Sequence, residues 1–430
     1  VDILIQGGTL IDPSQGMHGQ FDLLIRDGFV AEIASGIDPA GKTVIDALGL
    51  LVVPGLIDLH THLREPGGEH KETVLTGCRA AAAGGYTGIT ALPNTNPVMD
   101  DWRTINYVNM LAEQADLVRV WPVGAVSKGS AGREMAEIGA MVRAGAKAVT
   151  DDGRGVIDAR LLKNAFLCCK QFGIPLMEHC EEESLARDGQ LHEGLVAAKL
   201  GLPGIPVSAE TVMLARDLLL AEESGGRLHI MHVSTAKAVE MIRQAKEAGL
   251  HVTAEVTPHH LLLTEEAVDG FNSLAKMKPP LRTAADVEAL RLGLSDGTID
   301  AVATDHAPHT EAEKAGDFQS APFGIVGLET AFPLLYTHLV MRGLLSLDQL
   351  IDRMSCRPAT ILGVPHGSLK TGYAADLTLI DVTNERVIDR QAFLSKGKNT
   401  PFDGWPVFGV PMLTMVAGRV IMRNGTIVAN

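Results

Sequence analysis

The chain has 430 residues, 46% hydrophobic and 21% charged, a composition suited to a folded globular protein whose core is too large for one small domain. Its net charge of −15 excludes general binding to nucleic acid or to anionic membrane surfaces, both of which need basic patches. No apolar run is long enough to span a bilayer, and no basic segment followed by an apolar one opens the chain. The five cysteines (Cys78, Cys168, Cys169, Cys180, Cys356) form no disulfide framework, so a cytoplasmic location is expected.

In chain order, the first 52 residues have the character of strands and turns. Segments 3–5 and 21–25 are rich in β-formers, and Arg26-Asp27-Gly28 is a hairpin turn. From 53 to about 360 the rhythm changes. Short apolar strands at 56–59, 88–92, 118–123, 146–149, 174–177, 228–231, 251–256 and 299–303 alternate with helical patterns such as 71–83, 159–172, 209–223 and 236–248. Eight strand–helix units predict an α/β fold, a TIM-like (β/α)8 barrel, with functional residues at the C-terminal ends of its strands. The last stretch returns to short strands at 376–380, 412–416, 419–422 and 427–428, with Asn424-Gly425 as a tight turn. Residues 1–52 and 361–430 are therefore expected to form one small β-sandwich domain, with the barrel, 53–360, inserted between them.

The ends of these strands carry the chemistry. The first closes on His60-Thr61-His62; residues two apart on a strand share a face, so the two imidazoles point into one space. The second ends in Asn94, the fourth in Asp151-Asp152, the fifth in His179, the sixth in His232, the seventh in His259-His260 and the eighth in Asp305, with His309 four residues on. Any one such residue is equally well a polar strand cap, but so many at one face is a pattern. Four histidines and two aspartates can hold two divalent metals, which in such a site would lie about 3.5–4 Å apart with a carboxylate as the natural bridge. Asp151 or Asp152 supplies the bridge; strand alternation allows one of them to face inward and leaves open which. A water between the metals would lose a proton near neutral pH and become the nucleophile, with Asp305 as general base and then acid. The chemistry is hydrolysis of an amide-like bond. Arg64 offers a fork for a substrate carboxylate, or else a surface ion pair with Glu65 or Glu69. The charged segment between Asp305 and Pro322 is a lid or a plain loop.

These residues resemble the amidohydrolase superfamily. His62-Leu63-Arg64-Glu65-Pro66-Gly67, Pro93-Asn94-Thr95, Asp305-His306-Ala307-Pro308-His309 and the stretch Ser395 to Phe402 are similar, more narrowly, to the dihydroorotase family of the class I bacterial type. The resemblance implies reversible hydrolysis of L-dihydroorotate to N-carbamoyl-L-aspartate, the third step of pyrimidine biosynthesis, with two Zn2+ per subunit. It implies one zinc on His60, His62 and Asp305, a second on His179 and His232, and Asp152 rather than Asp151 as the bridge. Other dihydroorotases and hydantoinases use a carboxylated lysine as bridge, which makes Lys147, on the same strand but further back from its end, the rival candidate. Substrate contacts are implied at His62, Leu63, Arg64, Asn94, Lys278, His309, Phe323 and Gly324. One position departs: the family usually has asparagine where this chain has Lys278, which either adds a contact to the anion or swings away. A homo-oligomer is implied, with aspartate transcarbamoylase as a further partner. The competing readings are a hydantoinase- or allantoinase-like enzyme, and a non-catalytic scaffold for aspartate transcarbamoylase.

Overall fold

The structure, a computed structural model, describes residues 2–428. Its centre is a sheet of eight parallel strands in sequential order: β1 (Leu56–Asp58), β2 (Tyr86–Ala91), β3 (Arg119–Gly124), β4 (Ala148–Val149), β5 (Leu176–Glu178), β6 (Leu228–Ile230), β7 (Val252–Val256) and β8 (Ala301–Val302). Beyond the last ladder residues the sheet curls closed. Thr61 bridges His306 in parallel, the His62 N–H donates to the His306 carbonyl at 2.9 Å, and the Thr304 N–H donates to Asp58 Oδ1 at 3.1 Å. All eight expected strands are present, each starting within two residues of the expected position.

Local chemistry fixes where the surrounding helices begin. Helix Val74–Ala83 starts three residues later than its periodicity suggests, because Thr73 and Thr76 form a reciprocal capping box. Helix Ala159–Phe172 is capped by Asp158, which accepts from the Arg160 and Leu161 N–H groups, and ends at Gly173 in the left-handed conformation. Its buried residues, Leu161, Leu162, Ala165, Phe166 and Cys169, form one helical stripe against the sheet.

Inside the barrel, Ile57, Trp121, Val123, Met177, Met231 and Ala301 belong to one buried cluster, joined by residues 359–364. This apolar layer fills the barrel interior.

Both ends of the chain build the second unit. Strand Ile3–Gln6 pairs with Asp22–Arg26 and Thr43–Asp46 in a four-stranded sheet. Leu51–Pro54 pairs antiparallel with Leu377–Asp381 in a seven-stranded mixed sheet that contains the C-terminal strands. A separate core, including Ile5, Leu23, Val52, Leu377 and Leu413, joins residues from both sheets. The Asp22–Arg26 and Phe29–Ala34 strands meet at Arg26 and Phe29, with Asp27 (φ 51°) and Gly28 (φ 84°) as the expected hairpin turn.

Candidate active site

A cavity of about 370 Å³ opens at the C-terminal mouth of the barrel, and His62, Arg64, Asp152, His179, His232 and Asp305 are among its lining residues. Simple alternation from Ile57 and Leu59 would send His60 and His62 to the other face of β1. The chain bends instead: Asp58 Oδ1 accepts the His60 N–H at 3.0 Å while also holding Thr304. His232 and Asp305 are likewise turned by backbone, with φ of 31° and 45°, and Arg64 follows at 60°. Three site residues thus occupy the left-handed region that side chains other than glycine seldom adopt.

Asp152 stands in the middle. Its Oδ2 lies 3.6 Å from His60 Nε2 and 3.5 Å from His62 Nε2; its Oδ1 lies 3.5 Å from His179 Nδ1 and 3.4 Å from His232 Nε2. One carboxylate therefore faces two imidazole pairs, one with each oxygen. Asp305 Oδ1 adds to the first pair, 3.0 Å from His62 Nε2 and 3.3 Å from His60 Nε2. Asp151 points away, accepting the Val126 and Ser127 N–H groups at 2.9 and 3.0 Å and the Ser127 hydroxyl. Lys147 precedes β4 and is not among the cavity-lining residues.

The donor set fits divalent cations. Imidazole and carboxylate atoms of His60, His62 and Asp152 cluster within 4.8 Å, as do those of Asp152, His179 and His232, and those of His60, His232 and Asp305; all are buried. His60 Nε2 and Asp152 Oδ1, both deep in this cluster, have no hydrogen-bond partner. Buried nitrogen and oxygen donors in this arrangement are the ligand types that divalent metal ions take.

Groups behind the imidazoles set which nitrogen faces inward. Glu255 Oε1 is 2.7 Å from His60 Nδ1, and its Oε2 is 3.0 Å from His229 Nε2. Burial pushes the Glu255 carboxyl up, but His229 and His60 outweigh it and hold it at about 2, so it is an acceptor and His60 turns Nε2 to the cluster. Asn94 Oδ1 accepts from His62 Nδ1 at 2.8 Å and orients that ring in the same way. Burial also raises Asp152 and Asp305, yet the surrounding histidines, His60 foremost, hold both carboxyls below their usual range.

A family model described as Dihydro-orotase-like matches residues 49–238. Over 425 residues the chain is 50% identical to a dihydroorotase of Pelotomaculum thermopropionicum, covering 99% of each chain, and over 426 residues 49% identical to one of Bacillus licheniformis, again covering 99% of each. The chain belongs to the dihydroorotase family. Among solved structures it resembles an L-hydantoinase (dihydropyrimidinase) of Arthrobacter aurescens, with a TM-score of 0.89, 29% identity and coverage of 100% of this chain and 97% of that one. As a dihydroorotase family member the chain is an enzyme of the cyclic amidohydrolase class, and the barrel with its β unit is the fold that both groups share.

In this dihydroorotase family chain, seven of the eight residues implied for substrate contact line the cavity: His62, Arg64, Asn94, Lys278, His309, Phe323 and Gly324. Arg64 donates through Nε to the Pro308 carbonyl at 3.3 Å. Glu65 and Glu69 do not pair with it, since they accept from the Val74 and Gly67 N–H groups. The Leu63 side chain is buried in the core against Gly77, and Leu63 is not among the lining residues. The Gly324 N–H donates to the Lys276 carbonyl, and its own carbonyl accepts from Lys314 Nζ and Asn399 Nδ2, so its polar atoms are engaged within the protein. What Gly324 gives is room: a Cβ there would lie 2.6 Å from the Ala307 carbonyl oxygen. His309 donates through Nε2 to the Phe323 carbonyl at 2.8 Å, and its Nδ1 faces Lys71 Nζ at 3.3 Å.

Several residues that shape the site carry no sequence signal of their own. Glu255 lies inside a strand pattern. Lys276 donates to the carbonyls of Phe318, Gln319 and Ala321, and Lys314 to those of Pro322 and Gly324, so two buried ammonium groups pin the segment carrying Phe323. The charged stretch after Asp305 thus includes an anchored helical turn, Glu311–Lys314. His259 and His260 sit in helix Pro258–Leu262, where His260 Nε2 donates to the Pro279 carbonyl at 2.9 Å.

Proposed function

We propose that this enzyme hydrolyses the cyclic amide of L-dihydroorotate to N-carbamoyl-L-aspartate, reversibly, on a pair of zinc ions held by His60, His62, Asp152, His179, His232 and Asp305. Arg64 carries the reading. It is a half-buried guanidinium at the wall of a cation-type cluster, and among the described residues no carboxylate lies within ion-pair distance of it. A ring bearing a carboxylate supplies that partner; a hydantoin does not. Cations held by these six residues would supply Lewis acidity toward the ring carbonyl and toward a water molecule near neutral pH.

The chain's own groups do the rest. Arg64 grips the substrate carboxylate, Asn94 offers its amide beside it, and His309 fixes the Phe323 carbonyl at the mouth. Asp305, kept ionised by His60 and His62, accepts the proton of the attacking water and delivers it to the ring nitrogen as the amide C–N bond breaks. In ring closure the same carboxylate takes that proton back.

The division into a barrel, 53–360, and a β unit, 1–52 with 361–430, belongs to this reading and is supported by the two separate cores. So do a cytoplasmic homo-oligomer and association with aspartate transcarbamoylase, which the family resemblance supports; no helix of the described residues is long and apolar enough to cross a membrane. The test is turnover of dihydroorotate and of hydantoin by purified protein, with zinc counted per chain. Dihydroorotate turnover with two zinc ions is expected. Turnover of hydantoin alone overturns the substrate, and a chain that takes up no zinc overturns the metal centre.

A further inference from the structure

His179 faces the cluster through Nδ1, so its Nε2 points outward and needs an acceptor to hold the ring. The nearest carboxylate is Glu181, two residues along the chain, with Oε2 3.8 Å from His179 Nε2. Glu181 is buried, and its other oxygen, Oε1, is 2.6 Å from Lys278 Nζ. Lys278 lines the cavity, with its ammonium 5.7 Å from the centre of the Phe323 ring. Its stretch of backbone is fixed on both sides: Lys276 is anchored by the carbonyls it binds, and the Pro279 carbonyl accepts from His260. The lysine therefore reaches Glu181 from a held position.

The imidazoles of the first pair have closer acceptors behind them, His60 with Glu255 at 2.7 Å and His62 with Asn94 at 2.8 Å. Glu255 needs no cation, because His229 and His60 together hold it. Glu181 faces a single imidazole, 3.8 Å away and short of a hydrogen bond, and Lys278 at 2.6 Å is the close partner that keeps its carboxylate on the His179 side.

We propose that Lys278 and Glu181 form one positioning unit for His179, so that the residue at 278 sets how tightly the second cation is held and not only how substrate is met. This rests on the two-cation reading of the site. An asparagine at 278 carries no charge and is shorter, so a chain with asparagine there leaves Glu181 without its clamp. In this chain the position that the family resemblance assigns to substrate is tied to Glu181, beside His179.

The test strips the purified protein of metal with a chelator and titrates it with Zn2+ alone against a chromophoric competitor, for the wild type, Lys278→Asn, Lys278→Met, Lys278→Arg and Glu181→Gln. Thermal melting of the stripped proteins checks that each variant folds. The wild type takes up two ions. In Glu181→Gln the second is weakened roughly 10–100-fold, as for other partners of ligating histidines, while the first is unchanged. Lys278→Asn and Lys278→Met move in the same direction by about tenfold, a step toward the lower end of that range, and Lys278→Arg restores the second affinity. Unchanged affinities for both ions in Lys278→Asn and Lys278→Met, with only KM altered, overturn the proposal and make Lys278 a substrate contact. A wild type that takes up fewer than two zinc ions removes the two-cation reading itself, whatever the variants do.

Discussion

Asp151 and Asp152 are neighbours in the chain and face opposite ways: Asp152 divides its two oxygens between two pairs of imidazoles, while Asp151 is bonded to the N–H groups of Val126 and Ser127. The same substitution at the two positions therefore breaks different things. Asp152→Asn removes the shared carboxylate, and the expected outcome is loss of bound metal and of turnover with little change in the melting of the metal-free protein. Asp151→Asn keeps an oxygen for the two N–H groups but turns an N–H₂ toward the buried Ser127 hydroxyl, and costs about 1–3 kcal/mol of stability, while the metal count stays that of the wild type. Metal analysis beside denaturant unfolding separates the two. Equal metal loss in both variants would show that the pair acts jointly.

Glu255 lies behind His60 and is shared with His229. Glu255→Gln can present its N–H₂ to His60 Nδ1 instead of an acceptor, and the ring then no longer keeps its proton on the outer nitrogen. Weaker metal binding is expected, by roughly 10–100-fold, with the cavity otherwise intact. Competition titration with a chelator reads this directly. Undiminished affinity would mean that the packing around His60 holds the ring without the carboxylate.

Arg64 separates substrates by charge. Arg64→Met removes a charge-assisted pair of about 1.5–3 kcal/mol, so KM for dihydroorotate is expected to rise by roughly 10–150-fold. Turnover of a ring without a carboxylate, such as dihydrouracil, should change far less. A parallel loss on both rings would assign Arg64 to the shape of the loop rather than to recognition of the anion.

The sequence made the barrel legible because each parallel strand is a short apolar run bounded by helix-length segments, and the terminal sheets because their turns are marked by Asp27-Gly28 and Asn424-Gly425. The metal-type cluster was legible as residue types at strand ends. Its geometry was less so. Alternation along β1 does not by itself bring His60 and His62 inward; the bend made by Asp58 does, and His232 depends on a positive φ that nothing in its side chain announces. Contacts between distant segments were hidden altogether. Glu255 reads as an interior strand residue, and the tie from Lys278 to Glu181 joins positions almost a hundred residues apart, each unremarkable in its own neighbourhood.

His309 ties the acid behaviour of the fold to the mouth of the site. Burial first, then the charges of Arg64 and Lys71, lower its pKa from 6.5 to about 2, so the ring is neutral, donating through Nε2 to Phe323 and offering Nδ1 toward Lys71. In the unfolded chain the same imidazole titrates near 6.5. Between these two values the unfolded state binds a proton that the folded state does not, so the stability from this residue is complete above about pH 6.5 and falls as the pH drops below it. At pH 4.5 the loss amounts to roughly 2–3 kcal/mol, two pH units at about 1.4 kcal/mol each. His309→Gln keeps a donor for the Phe323 carbonyl and has no proton to gain. Its stability curve is expected to be flatter than that of the wild type between pH 6.5 and 4.5 by about that amount. Urea unfolding of the two metal-free proteins across this range checks the prediction, and parallel curves would mean that His309 is already protonated in the fold, with its ring turned away from Lys71.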